Sequence, residues 1–127
     1  MKNKIQIKNN ILKFTYRSLL LLVSSIFIFV GIDKIFLAPE MVKMFSVFGL
    51  PKEFMVIIGF TELVLAIMLQ SKYFTKLATH GIISILSFAT FFHFVNGQYF
   101  YSLIPTLFIV ILIITLNLGQ KIKNLSL

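Results

Sequence analysis

The sequence predicts an all-α membrane protein: a bundle of four transmembrane helices with a short interfacial helix between the first and second spans. Composition is the first reason, because 58% of the 127 residues are hydrophobic and 13% are charged, whereas soluble proteins average roughly 45–50% and about 25%. The second reason is that four stretches reach the roughly 17–25 mostly apolar residues that cross a bilayer as a helix. The whole chain, residues 1–127, is therefore predicted to be one integral membrane domain.

The four predicted spans cover about residues 18–37, 54–70, 77–95 and 100–118. Helices are expected because lipid offers the backbone no hydrogen bonds, and a closed barrel would show alternating segments of about ten residues instead. The basic leader, residues 1–17, precedes the first span as it would in a signal peptide. The apolar run that follows is too long for a signal peptide, so the first span is predicted to be an uncleaved anchor.

The loop between the first two spans is predicted to hold a short helix at the membrane interface. Its stretch PEMVKMFSVF, residues 39–48, begins with a proline, which suits the first turn of a helix. Four apolar residues then follow at helical spacing on one face: Met41, Met44, Phe45 and Phe48. Gly49 is expected to end this helix.

The distribution of positive charge predicts the topology. Nine Lys and Arg residues flank the spans on one side: Lys2, Lys4, Lys8, Lys13, Arg17, Lys72, Lys76, Lys121 and Lys123. The positive-inside rule places that side, with both termini, in the cytoplasm. Nucleic-acid binding is not expected despite the net charge of +8, because the basic residues are divided among three segments and form no aromatic-studded basic face.

Glu62 is the most informative residue, because it falls near the middle of the second span, where a charge costs roughly 3 kcal/mol. It is expected to be paired or protonated. Gly59 and Ala66 share its helix face, so a neighbouring helix can approach closely there. Lys34, near the outer end of the first span, is the predicted partner, since two long side chains in antiparallel helices can close the estimated gap of about 7 Å.

Four ionisable residues from three spans are predicted to fall in the outer half of the membrane: Asp33, Lys34, Glu62 and His93. Such clusters serve as proton relays, ion sites or pockets for polar headgroups. The competing interpretation is structural, with a Lys34–Glu62 pair fixing helix register and Asp33 and His93 at the wet interface. No catalytic residue and no metal site are predicted, because two His and one buried Glu without paired i, i+4 ligands do not make a metal centre.

Three stretches resemble the DoxX-like family of small four-helix bacterial membrane proteins. They are GIDKIF at the end of the first span, FGLPKEFMVIIGFTELVLAIML leading into and through the second, and ATFFHF in the third. The resemblance implies a four-helix bundle in the bacterial cytoplasmic (inner) membrane, with Lys34, Glu62 and His93 as the polar positions carried over. It also implies relatives among the subunits of membrane oxidoreductases, including an archaeal thiosulfate:quinone oxidoreductase, while distant eukaryotic relatives act in receptor assembly.

Three functions are compatible with these residues. The first hypothesis is a small non-catalytic accessory subunit or scaffold, in a quinone-linked membrane oxidoreductase complex or a homo-oligomer. The second is a quinone-binding redox subunit, in which His93 donates a hydrogen bond to a carbonyl and Glu62 relays a proton. Small-solute or proton transport is the third, although four helices leave little room for a pathway.

Redox chemistry would depend on a partner subunit. The chain contains no Cys and no haem, flavin or iron–sulfur ligand set that could transfer electrons. A quinone, bound without a covalent link, is the candidate cofactor, and the lipid bilayer is the expected surrounding. The sequence leaves open whether the chain is itself an enzyme.

Overall fold

Five α-helices follow one another in a computed structural model that describes residues 1–125, and no strand occurs in that part of the chain. They are α1 (Lys2–Ile35), α2 (Pro39–Val47), α3 (Lys52–Leu69), α4 (Thr75–Val95) and α5 (Tyr99–Leu125). The all-helical fold class is therefore confirmed. The short helix between the first two long ones is present where the apolar spacing predicts it, and its apolar face is turned towards the bundle with Phe45 buried.

The first helix is longer at its start than the predicted span. Helix α1 has 34 residues, about 51 Å at the usual rise, because residues 2–17 continue the span as one helix. No glycine or proline interrupts the chain before Gly31, so the backbone meets no helix breaker. The helix ends at Ile35, two residues before the predicted end, because Leu37 takes a left-handed conformation with φ of 56°.

Three helices, α1, α2 and α4, end in the same capping motif. In each, a residue of positive φ is followed by a backbone N–H that donates five residues back: Ala38 to Asp33, Leu50 to Phe45 and Gln98 to His93, at 2.8–2.9 Å. This is the Schellman arrangement, which satisfies carbonyls left free at a helix end. Gly49 and Gly97 fill the left-handed position in two helices, and Leu37 fills it in the third.

The four long helices form a closed ring in which α1 packs on α3 and α5, and α4 packs on the same two helices. Helices α1 and α3 run antiparallel, because their contacts pair residues in reverse order. Gln70 donates to the Leu20 carbonyl at 3.2 Å, Ser24 donates to the Ala66 carbonyl at 3.0 Å, and Gly31 lies against Gly59. Helix α2 packs against α1 and α3 at one end of the ring, here called the α2 end.

The apolar core fills the half of the bundle away from the α2 end. Its buried members are Leu20, Val23, Phe27, Ala66, Leu69, Ala78, Ile82, Leu86 and Leu112. The ionisable side chains that are buried, Lys34, Glu62 and His93, lie in the other half. The apolar core thus lies in one half of the bundle, and the buried ionisable side chains among residues 1–125 lie in the other half, at the α2 end.

Among the described residues, three helices are long and apolar enough to cross a membrane: α1, α4 and α5. Helix α3 is not one of them, because its 18 residues include three charged side chains, Lys52, Glu53 and Glu62. The structure therefore supports a membrane protein with three candidate spans and does not confirm a four-span bundle. The span predicted at residues 54–70 stays a prediction.

Candidate functional site

A partly open cavity of about 470 Å³ lies at the α2 end, and all five helices contribute to its wall. The wall is mostly apolar, with seven Phe side chains: Phe27, Phe45, Phe48, Phe54, Phe88, Phe92 and Phe108. Three ionisable side chains from three helices also line it, namely Lys34 of α1, Glu62 of α3 and His93 of α4. An apolar chamber with a few convergent polar groups is the usual form of a small-molecule site.

Lys34 and Glu62 form a buried ion pair at this cavity. The ammonium nitrogen of Lys34 donates to Oε1 of Glu62 at 2.6 Å, and the two side chains are 8% and 3% exposed. The contact expected from their positions in antiparallel helices is therefore present. The second carboxyl oxygen, Oε2, is buried without a hydrogen-bond partner among residues 1–125, which leaves part of the carboxyl group unsatisfied.

A close approach of two helix backbones brings the ion pair together. A Cβ atom built on Gly59 would lie 2.8 Å from the Gly31 carbonyl oxygen and 2.9 Å from the Lys34 Cβ. Real Cβ atoms do not reach such distances, so α1 and α3 can be this close only with glycine at the contact. The expectation of a close helix contact on the face of Glu62 is confirmed.

His93 is held by a residue that the sequence analysis missed. Its Nδ1 lies 2.7 Å from the side-chain oxygen Oε1 of Gln98, and the backbone N–H of Gln98 donates to the His93 carbonyl at 2.8 Å. The left-handed Gly97 turns the chain back so that both bonds form. A glutamine five residues after a histidine, with glycine before it, is the signal that could have found this contact.

Aromatic rings complete the surroundings of His93. The ring of Phe48 meets the imidazole edge to face at 4.9 Å between centroids, and Tyr101 lies nearly parallel to it at 6.1 Å. His93 is 9% exposed. Because Gln98 and both aromatic rings fix the imidazole, its free nitrogen, Nε2, has a defined orientation.

Asp33, the fourth ionisable residue predicted in the outer half of the membrane, does not join Lys34, Glu62 and His93 at the cavity. It is half-buried in the last turn of α1 and lies outside the cavity lining. Adjacent residues on a helix point about 100° apart, and here Lys34 lines the cavity while Asp33 does not. The backbone carbonyl of Asp33 accepts a hydrogen bond from the Ala38 N–H in the cap at the end of α1.

The comparison with known proteins settles the family. The model of the DoxX-like family matches residues 18–115. The chain belongs to the DoxX-like family. This match spans well over half of the chain and includes Lys34, Glu62, His93 and Gln98. No curated protein and no solved structure gives a match to the chain.

Within residues 1–125 of this DoxX-like protein, no three His, Asp or Glu side chains are grouped so that they could bind a metal ion. The second histidine, His80, lies on the exposed side of α4 with its Nδ1 2.7 Å from the Lys76 carbonyl oxygen. It does not line the cavity. Lys34, Glu62 and His93 can take part in hydrogen bonding and proton transfer at the cavity.

Proposed function

We propose that this DoxX-like protein is a small non-catalytic component of a quinone-linked membrane redox complex, and that its cavity binds the head of a quinone-class molecule. The supporting observation is the cavity itself, in which mostly apolar walls surround three ionisable side chains from three helices. Its volume of about 470 Å³ falls in the range of about 300–1,000 Å³ that is common for ligand pockets. A flat ring with oxygen substituents and an apolar tail suits both parts of the wall.

In the proposed topology, α3 crosses the bilayer beside α1 and is the fourth span. The 18 residues of α3 reach about 27 Å, close to the roughly 30 Å of hydrocarbon. Its charged residues Lys52 and Glu53 lie at the helix start, and Glu62 is paired with Lys34, so no charge in its interior faces lipid alone. Under the positive-inside rule both termini lie in the cytoplasm, and the membrane is the bacterial cytoplasmic membrane.

The residues present fit the head of a quinone. Lys34 has further N–H groups to donate, while Oε2 of Glu62 and Nε2 of His93 make no hydrogen bond within the described chain. A buried polar atom without a partner is costly. A quinone carbonyl can accept from Lys34, and the hydroxyl of the reduced ring can donate to Oε2 or Nε2. A bound quinone supplies two-electron, two-proton chemistry. The chain itself supplies groups that hold or move protons, at the carboxyl of Glu62 and the imidazole of His93.

A binding measurement tests the proposal. A tritium-labelled short-chain benzoquinone analogue and its reduced quinol form are titrated into the protein in nanodiscs, and the wild type is compared with Glu62→Gln and His93→Ala. His80→Ala is the matched control, because His80 lies in the same helix outside the cavity. We expect saturable binding of both forms by the wild type and the control, and at least about tenfold weaker binding of the quinol by the two cavity variants. Absence of saturable binding of either form by folded wild type would overturn the proposal.

A structural scaffold is the second candidate, and a different observation favours it. The Lys34–Glu62 bond and the Gly31–Gly59 contact fasten α1 to α3, which is what a rigid partner for other subunits requires. In that case the cavity variants would lose stability or assembly while the wild type binds no quinone analogue. The titration and a melting curve of each variant separate the two functions.

A further inference from the structure

We propose that the cavity selects ligands whose polar head donates hydrogen bonds, so that it prefers a hydroxyl-bearing ring, such as a phenol or a reduced quinone, over a head that only accepts. This inference rests on the proposed function and specifies the form of ligand that the same cavity takes. It follows from the hydrogen-bonding groups of three side chains that line the cavity, Glu62, His93 and Lys34.

The carboxyl group of Glu62 provides the first free acceptor. Its Oε1 already accepts the Lys34 ammonium at 2.6 Å, whereas Oε2 is buried and has no partner among the described residues. An ionised carboxyl group is an acceptor only. A ligand that satisfies Oε2 therefore has to donate.

The imidazole of His93 provides the second free hydrogen-bond acceptor. Its Nδ1 lies 2.7 Å from the amide oxygen of Gln98, and because an amide oxygen can only accept, Nδ1 carries the hydrogen. The neutral ring then has a lone pair on Nε2, which makes no hydrogen bond within residues 1–125. Gln98 is in this way a positioning residue, since it determines which ring nitrogen accepts.

Lys34 supplies the donors at the same end of the cavity. One N–H of its ammonium is used by Glu62, and the others can donate to a ligand oxygen. A hydroxyl group accepts from Lys34 and donates to Glu62 or His93 at once. A carbonyl or an ether oxygen accepts from Lys34 but leaves both free acceptors empty, with the cost of a buried unsatisfied group.

A matched pair of ligands isolates the donated hydrogen bond. A tritium-labelled para-alkylphenol and its methyl ether have the same ring and tail. They differ in that a methyl group replaces the hydroxyl hydrogen in the ether, so only the phenol can donate. Both are titrated into the protein in nanodiscs, with their concentrations expressed per lipid after measurement on empty nanodiscs. We expect the phenol to bind at least about tenfold more tightly than the ether.

Two variants attribute the preference to the named atoms. Gln98→Leu removes the acceptor beside Nδ1 and is expected to reduce the phenol-to-ether ratio severalfold, while Gln98→Glu keeps an acceptor there and is expected to retain it. A purely structural role of Gln98 would weaken both ligands equally and leave the ratio unchanged. Asn96→Leu, in the same turn and outside the cavity, is the control.

The outcomes separate this inference from the function on which it rests. Equal affinity of phenol and ether overturns the donor preference and leaves the cavity as a binding site. Binding of neither ligand nor the benzoquinone analogue overturns both. Preference for the phenol that survives Gln98→Leu overturns the role of Gln98.

Discussion

The ammonium nitrogen of Lys34 lies 2.6 Å from Oε1 of Glu62, and this bond joins the last turns of α1 to the middle of α3. Both side chains are almost fully buried. Removing two charges from water costs several kcal/mol for each, and their mutual attraction offsets this cost only while both are present. Loss of either residue alone would therefore leave the other as a buried charge without its partner.

The first prediction concerns this dependence. Lys34→Met is expected to lower the free energy of unfolding by about 3–5 kcal/mol, because it leaves Glu62 as an unpaired charge in the bundle. The double variant Lys34→Met/Glu62→Leu removes both charges and is expected to recover most of the loss. Denaturant unfolding in detergent micelles measures both. A double variant as unstable as the single one would contradict the account.

The second prediction concerns the glycine contact beneath the ion pair. Gly59→Ala is expected to lower stability by about 1–3 kcal/mol, because the added Cβ meets the Gly31 backbone and the Lys34 Cβ below 3.0 Å. Gly81→Ala is the matched control, since its Cβ would meet only the movable side chain of Leu65 at 3.0 Å. Thermal melting of the two variants is compared, and equal losses would argue against a close contact of α1 with α3.

Much of this arrangement is visible in the sequence. Glu62, Gly59 and Ala66 at helical spacing predict a carboxylate on a face of small residues, and Lys34 is its reachable partner from the antiparallel helix. The short helix α2 is likewise predicted by its proline and by apolar spacing. These features depend on local periodicity and on the high cost of a charge in lipid, both of which a single chain displays.

Two features are not predicted, because they depend on how one helix ends and where another begins. Gln98 reaches His93 only because Gly97 reverses the chain at the end of α4. The helical continuation of residues 2–17 is not predicted, because these residues are mostly polar. They nevertheless form a helix, since no glycine or proline interrupts them.

The third prediction concerns the left-handed residues at the helix ends. Gly97→Ala is expected to lower stability by about 1 kcal/mol or more, since only glycine adopts positive φ without strain. Leu37→Gly is expected to stay within about 1 kcal/mol of wild type, because relief of strain at φ of 56° is offset by a more flexible unfolded chain. Chemical denaturation compares them, and a large loss in Leu37→Gly would show that its side chain matters more than its backbone.

The fourth prediction concerns the topology. Because the chain has no Cys, single-cysteine variants can be labelled without a background. Ser46→Cys in α2 and Tyr73→Cys in the turn after α3, both exposed, are expected to react with a membrane-impermeant maleimide from opposite sides of oriented vesicles. Asn3→Cys, near the N-terminus, is expected to share the side of Tyr73→Cys. Labelling of Ser46→Cys and Tyr73→Cys from the same side would show that α3 does not cross the membrane.

The most direct test of the central claim, that the cavity binds a quinone-class head, is to fill the cavity and measure binding. Ala89 is half-buried and lines the cavity, whereas Ser87 is exposed on the same helix and does not. Affinity for the short-chain benzoquinone analogue is measured in nanodiscs for Ala89→Phe and Ser87→Phe. We expect at least about tenfold weaker binding by Ala89→Phe and wild-type binding by Ser87→Phe. Equal affinity of both folded variants would contradict this claim.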